Sequence, residues 1–200
     1  MVLKNPFSRR KRRGKLFLVP RNRRKDRVRR KILGEGWQGR VYSKNAFVVR
    51  KEFKKSHPFR NIRRSVETES TIQRRLSRKG IAPKVVGTGK GYIDMERVRG
   101  KTLTAHTANN PRRQRKYGRK LARTVQKMHD IGVSHRDLHG GNVLITPSGK
   151  VKVIDYGFAR DRGRPLTMRE RRRDYKRVLR KERGNKNEAF RQSFERNYRP

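Results

Sequence analysis

Asp137 stands five residues before Asn142 within His135-Arg136-Asp137-Leu138-His139-Gly140-Gly141-Asn142, and a second aspartate opens Asp155-Tyr156-Gly157. A carboxylate such as Asp137 can orient an attacking hydroxyl and accept its proton. The Asn142 amide oxygen and the Asp155 carboxylate are hard donors suited to Mg²⁺, which also keeps water and phosphate oxygens in its shell. Phosphoryl transfer from ATP asks for little beyond such positioning and charge neutralisation. His135 reads as a packed, hydrogen-bonded loop histidine and not as a proton shuttle.

Upstream, Gly34-x-Gly36-x-x-Gly39-x-Val41 lies between two expected strands. That placement argues against a dinucleotide-binding fingerprint, and the Gly-Lys-Ser/Thr ending of a Walker loop is missing. A glycine-rich hairpin lets backbone N–H groups approach triphosphate oxygens without side-chain obstruction. The third strand is expected over Ala46–Phe53, with Phe47, Val49 and Lys51 on one face because side chains alternate with period two. An ammonium at Lys51 could neutralise the α- and β-phosphates.

A helix is expected over about residues 62–79, with Val66, Ile72 and Leu76 as its apolar face. Glu69 falls on that face, whereas Glu67 falls with Arg74, Arg75 and Arg78 on the solvent side. A carboxylate on a buried stripe needs a partner, since an unpaired buried charge is costly. Lys51 is the partner expected.

The remaining elements follow from turn and cap chemistry. Pro83–Gly87 and Tyr92–Met95 read as strands around a glycine turn, and Gly100 as a hinge. Asn110-Pro111 opens a helix whose stripe is Tyr117, Leu121, Val125 and Met128, with Gly132 as its stop. Val143–Ile145 and Val151–Ile154 flank Pro147-Ser148-Gly149 as a hairpin. Two short helices follow: one opens with the capping box Thr167-Met168-Arg169-Glu170, the other runs from about Asn187 and carries Phe190, Phe194 and Tyr198.

The chain has 200 residues, with 60 Lys and Arg against 16 Asp and Glu, a formal charge of +44. Such a charge repels itself and favours polyanionic partners, nucleic acid first. Residues 1–31 read as a mostly disordered basic arm whose two clusters resemble a bipartite nuclear-import signal. The absence of cysteine excludes disulfides, cysteine-ligated zinc and thiol catalysis. No apolar run reaches the length of a membrane span, so a soluble, intracellular protein of the cytoplasm or nucleus is expected.

Taken together, these motifs resemble the protein-kinase superfamily over roughly residues 32–160. The resemblance implies an α+β, two-lobed fold with a small antiparallel-sheet N-lobe and a reduced, mainly helical C-lobe. Its divisions would be the arm at 1–31, an N-lobe at 32–98 and a C-lobe at 99–200. It implies ATP and Mg²⁺, catalytic roles for Asp137, Lys51 and Glu69, and metal ligation by Asn142 and Asp155. The nucleotide would rest on Gly34, Gly36, Gly39, Val41, Val49, Lys51, Met95, Glu96 and Val98, with backbone groups of Glu96 and Val98 meeting the adenine. Asp-Tyr-Gly stands where the family usually has Asp-Phe-Gly.

Two departures shape the expectation. His139 replaces the lysine usual two residues after the catalytic aspartate of Ser/Thr kinases, and Asp-Leu-His-x-Gly-Asn resembles aminoglycoside and choline phosphotransferases. No Ala-Pro-Glu follows Asp155, and 45 residues remain after it, so a reduced peptide-docking region is expected. Asp174-Tyr175 after a short activation segment resembles the compact Bud32 and RIO-type kinases, and small kinases of large DNA viruses are similar. An atypical Ser/Thr protein kinase with a protein substrate is the leading expectation. A small-molecule phosphotransferase and a nucleic-acid-binding protein on a kinase scaffold are the alternatives.

Overall fold

The computed structural model describes residues 11–12, 15–16, 31–36, 38–54, 61–181 and 187–199. The chain divides into two compact units, Met1–Lys31 and Ile32–Pro200. In the first, β1 (Lys11–Arg12) pairs antiparallel with β2 (Lys15–Leu16), where the sequence led us to expect no regular structure. Apart from Lys31, the rest of the expected arm, and Trp37 in the glycine turn, lie outside the described residues.

The second unit begins with a five-stranded antiparallel sheet in the order β3-β4-β5-β7-β6. Its strands are β3 (Ile32–Glu35), β4 (Gly39–Ser43), β5 (Val48–Phe53), β6 (Val85–Gly89) and β7 (Tyr92–Glu96). Val41 pairs with Lys51, which pairs in turn with Ile93; Val49 pairs with Met95. Period-two alternation therefore buries Val49, Lys51 and Phe53 on one face of β5.

Phe47 departs from the expected pattern. The Asn45 side chain accepts the N–H groups of Phe47 and Val48 at 2.9 and 2.8 Å, which holds Phe47 in the turn before the strand. Its ring is 76% exposed. An Asx turn has overridden the alternation at this end.

Helix α1 (Ile62–Arg78) starts at Asn61, whose side chain accepts the Arg64 N–H. It buries Val66, Glu69, Ser70, Ile72, Gln73 and Leu76. Val66 joins Val49, Phe53, Ile93 and Met95 in the upper core, and Gln73 Nε2 donates to the Pro83 carbonyl at 3.1 Å.

Beyond the sheet come β8 (Lys101–Thr102), α2 (Leu103–Thr107) and α3 (Pro111–Asp130). Asn110 caps α3 by accepting the Arg113 N–H at 2.9 Å, with Pro111 at the first turn. Tyr117, Leu121, Val125 and Met128 are buried along one face. Each contributes about 1.5–3 kcal/mol by leaving water, which holds a helix whose outer face is crowded with like charges.

Next follow β9 (Val133–Ser134), a 3₁₀ turn (Gly140–Asn142), β10 (Val143–Ile145), β11 (Val151–Val153) and β12 (Arg160–Asp161). β10 and β11 form the expected hairpin, with β8 on its other side. β8, α2, β9 and β12 were not expected; the three strands are two-residue pairings whose partners are distant in sequence.

The last helices are α4 (Met168–Lys181) and α5 (Glu188–Asn197). The capping box at α4 forms: the Thr167 N–H donates to Glu170 at 2.9 Å, and the Glu170 N–H donates back to Thr167 Oγ1 at 3.4 Å. α5 lies on α3 so closely that a Cβ at Gly118 would crowd the Phe190 carbonyl. Phe190, Phe194 and Tyr198 are buried there as a stack. Tyr198 sits just past the helix end. The architecture is α+β, a small antiparallel sheet followed by a mainly helical region. Among the described residues no helix is long and apolar enough to cross a membrane.

Candidate active site

A cleft of about 890 Å³ opens between the glycine hairpin and sheet on one side and the 135–142 loop and β10–β11 hairpin on the other. All nine residues expected to meet a nucleotide line it: Gly34, Gly36, Gly39, Val41, Val49, Lys51, Met95, Glu96 and Val98. Glu69, Asp137, Asn142 and Asp155 line it as well.

The three glycines are not equivalent. A Cβ at Gly39 would collide with the Glu52 carbonyl across the β4–β5 ladder, so the sheet itself requires glycine there. Added Cβ atoms at Gly34 and Gly36 would meet nothing within 4 Å. Those two leave backbone open to the cleft.

Lys51 comes from β5 and Glu69 from α1, so the pairing depends on strand alternation and helix periodicity agreeing. The Lys51 ammonium donates to both Glu69 oxygens at 2.7 and 2.9 Å and to Asp155 Oδ1 at 2.8 Å. Burial pushes the Lys51 pKa down, but the two carboxylates outweigh it and raise it above the usual lysine range. Burial likewise pushes Asp155 up, and Lys51 overcomes this to hold its carboxyl below the ordinary value. Lys51 and Asp155 are therefore ionised together at neutral pH. The Asp155 side chain remains 44% exposed towards the cleft, with its backbone in the left-handed region at φ 64°.

The loop that carries Asp137 is fixed from beneath. Asp174 of α4 is fully buried and accepts the backbone N–H of His135 at 2.7 Å and of Arg136 at 2.6 Å. Its other partner is His129 of α3, at 3.0 Å from Nε2, and the Tyr198 hydroxyl sits 2.6 Å from His129 Nδ1. Burial raises the Asp174 pKa, but the His129 hydrogen bond and nearby histidines bring it below normal. This carboxylate supports Arg136 at φ 68°, a conformation non-glycine residues rarely adopt. His135 is buried, its Nε2 3.0 Å from the Ile154 carbonyl, as expected of a packed loop histidine.

Asn142 and Asp155 are placed by the hairpin. Asn142 Nδ2 donates to the Asp137 carbonyl at 3.0 Å, and the Ile154 N–H donates to the Asn142 carbonyl at 2.9 Å. The amide nitrogen is thus engaged, and the amide oxygen is the Asn142 group suited to a cation. Among the described residues no group of three or more His, Cys, Asp or Glu side chains gathers as a metal site. One carboxylate and one amide still suit a hard divalent ion that takes its other ligands from phosphates and water.

Asp137 has two cationic or potentially cationic neighbours. Arg177 of α4 donates through Nη2 to its Oδ1, and His139 Nε2 lies 4.0 Å from its Oδ2. At the end of the cleft expected to take adenine, the Glu96 N–H donates to the Lys84 carbonyl at 2.8 Å. Any contact of Glu96 backbone with a base therefore goes through its carbonyl.

Three residues escape sequence reasoning about the site. Asp174 entered only through the Asp-Tyr resemblance, although its spacing from buried Val178 on α4 is the signal that singled out Glu69 on α1. Arg177 carries no signal in a chain with 60 Lys and Arg. Gln38 points down from the glycine hairpin onto Gly157, where an added Cβ would collide with it. Both polar atoms of its amide are buried without a hydrogen-bond partner.

A profile of the protein kinase domain matches residues 27–176. Over 78 residues the chain is 38% identical to a probable serine/threonine-protein kinase, PknB, of Corynebacterium glutamicum, covering 37% of this chain and 12% of that protein. It is 37% identical over 73 residues to protein kinase C-like 1 of Saccharomyces cerevisiae, covering 35% of this chain and 6% of the other. Serine/threonine-protein kinase PknA of Mycobacterium tuberculosis is 35% identical over 79 residues, 37% of this chain and 18% of PknA. The matched segments thus span less than a fifth of each of these relatives.

Proposed function

Because the chain belongs to the protein-kinase family, we propose that it is a compact, atypical serine/threonine kinase that moves the γ-phosphoryl group of ATP to a protein hydroxyl. One observation carries the reading: the Lys51 ammonium bridges Glu69 and Asp155 inside a cleft that Asp137 and Asn142 also face. The names of the similar proteins support a Ser/Thr acceptor. The atypical assignment rests on His139 in place of lysine and on the missing Ala-Pro-Glu after Asp155.

Roles follow from charge and placement. Lys51, held by Glu69, presents its ammonium to the α- and β-phosphates. Backbone around Gly34 and Gly36 covers the triphosphate, while Val41, Val49 and Met95 pack around the base. Asn142 and Asp155 would hold Mg²⁺, which when bound neutralises charge on the phosphate oxygens. Asp137 orients the acceptor hydroxyl and takes its proton as the new O–P bond forms and the bond to the β-phosphate oxygen breaks. Purified protein with γ-labelled ATP and Mg²⁺ labels itself or a model protein, and Asp137→Ala abolishes this. Faster labelling of aminoglycosides or choline-like alcohols than of any protein would replace the protein acceptor with a small one.

Association with a polyanion, nucleic acid first, is the second part of the reading. It is supported by the formal charge of +44 and by the basic composition of residues 1–31. The folded unit adds a groove of about 630 Å³ between α3 and α5, lined by Arg112, Arg115, Lys116, Arg119, Lys120 and Arg196 and, among the described residues, by no carboxylate. Duplex or single-stranded binding should weaken steeply with salt, by about 0.9 log units per tenfold salt for each duplex phosphate neutralised. Deleting residues 1–31 and, separately, the double change Arg112→Glu/Arg119→Glu apportion that slope. A salt-insensitive affinity ends the polyanion reading.

A further inference from the structure

Helix α4 reaches the 135–142 loop twice, one helical turn apart. Asp174 holds the backbone N–H groups of His135 and Arg136; three residues later Arg177 holds the Asp137 side chain itself. We propose that Arg177 is the positioning residue for the Asp137 carboxylate: its guanidinium fixes Oδ1 and thereby aims Oδ2 at the incoming hydroxyl. The proposal rests on the reading of Asp137 as proton acceptor.

A lone carboxylate on a loop rotates freely about its last torsion, and a small misplacement of a reacting group can cost about 10²-fold in rate. A planar, permanently charged guanidinium is suited to stopping that rotation, because its donors lie in a rigid fork and the bond is charge-assisted. Arg177 is also a poor candidate for a purely structural role. α4 is already seated by fully buried Asp174 and Val178, while Arg177 Nε is buried with no hydrogen-bond partner among the described residues. A buried donor left without a partner costs about 1–3 kcal/mol, and Nη2 on Asp137 is where the side chain makes its ion pair.

The two sides of the carboxylate are therefore distinct. Oδ1 is taken by Arg177, and the nearest potentially cationic group to Oδ2 among the described residues is His139 at 4.0 Å, longer than a hydrogen bond. That gap lets Oδ2 receive a proton from an acceptor hydroxyl without first breaking a strong contact. A charge from α4 thus holds Asp137 from outside the loop that carries it.

The test compares wild type, Arg177→Met, Arg177→Lys and Asp137→Ala in steady-state transfer of labelled phosphate, with ATP affinity measured separately by calorimetry. Arg177→Met keeps the aliphatic stem and removes the fork. Its kcat should fall about 10²-fold, with KM and Kd for ATP within about twofold because Arg177 does not line the nucleotide cleft. Arg177→Lys should recover part of the loss, and free guanidinium ion should rescue Arg177→Met but not Asp137→Ala. Unchanged kcat in Arg177→Met, with wild type active, overturns the proposal while leaving the kinase reading intact. A rise in kcat also overturns it, making the contact a block on the acceptor side. An inactive wild type that binds no ATP removes both. If Arg177→Met does not fold, loss of ATP affinity reveals it, and Arg177→Lys then decides: full activity with no response to guanidinium sinks the idea.

Discussion

Arg50 and Lys51 are neighbours on β5, and each forms ion pairs with carboxylates, yet the two faces of the strand serve different ends. On the back face Asp94 accepts Arg50 Nε and Nη2 at 2.6 and 2.8 Å and Lys44 at 2.8 Å. Arg50 also stacks over Tyr92, 3.5 Å from the ring centre. That set joins β5 and β7 to the turn after β4 without touching the cleft. On the cleft face Lys51 spans from the sheet to Asp155, a residue that follows β11. The lesson is that ion pairing alone does not mark a site. What separates the faces is that one pairing closes within the sheet and the other reaches across the cleft to a carboxylate still open to solvent.

The comparison breaks most sharply at Asp155. Asp155→Ala should reduce phosphate transfer by at least about 10³-fold, measured with labelled ATP, with little change in melting temperature because the side chain is half exposed. Unchanged transfer would remove it from the site. Lys51→Met should lose both activity and stability, about 3–5 kcal/mol by denaturant unfolding, because Glu69 stays buried without that cation. The double variant Lys51→Met/Glu69→Leu should regain most of the stability and none of the turnover, separating the two roles of the pair.

On the back face Asp94→Ala should cost about 1.5–3 kcal/mol while leaving kcat per folded molecule within about twofold; a large kcat effect would erase the distinction between faces. Its pH dependence has a definite sign. Arg50, and then Lys44, hold the Asp94 carboxyl below its ordinary value against the opposing effect of burial. The stabilisation is therefore fully present above about pH 4 and is lost as pH falls through the depressed folded value. Asp94→Asn should flatten that part of the stability curve.

The smallest effect belongs to an exposed pair. Arg164 and the Thr167 backbone N–H lower the Glu170 pKa to about 2. Arg164→Ala should move its NMR titration upwards with almost no change in stability.

Much of the site could be read because it obeys local periodicities. Period two on β5 put Lys51 inward, the 3.6-residue repeat on α1 selected Glu69 over Glu67, and turn chemistry set the β10–β11 hairpin that carries Asn142 and Asp155. The reading slipped at Phe47, where the Asn45 side chain competes with the strand for two N–H groups. It also missed what depends on long-range contact. Asp174 and Arg177 lie about forty residues from the loop they hold, and no short-range pattern announces such a partnership. Asp174 could have been found, as a carboxylate in the apolar register of α4. Arg177 is one basic residue among many on that helix.

The Gln38 amide, wedged against Gly157 with its oxygen and nitrogen unsatisfied, gives the cleft roof a bias of its own. Lifting that side chain would hydrate two polar atoms whose burial costs about 1–3 kcal/mol each. Displacing Gln38 from Gly157 therefore costs less than its close packing alone implies.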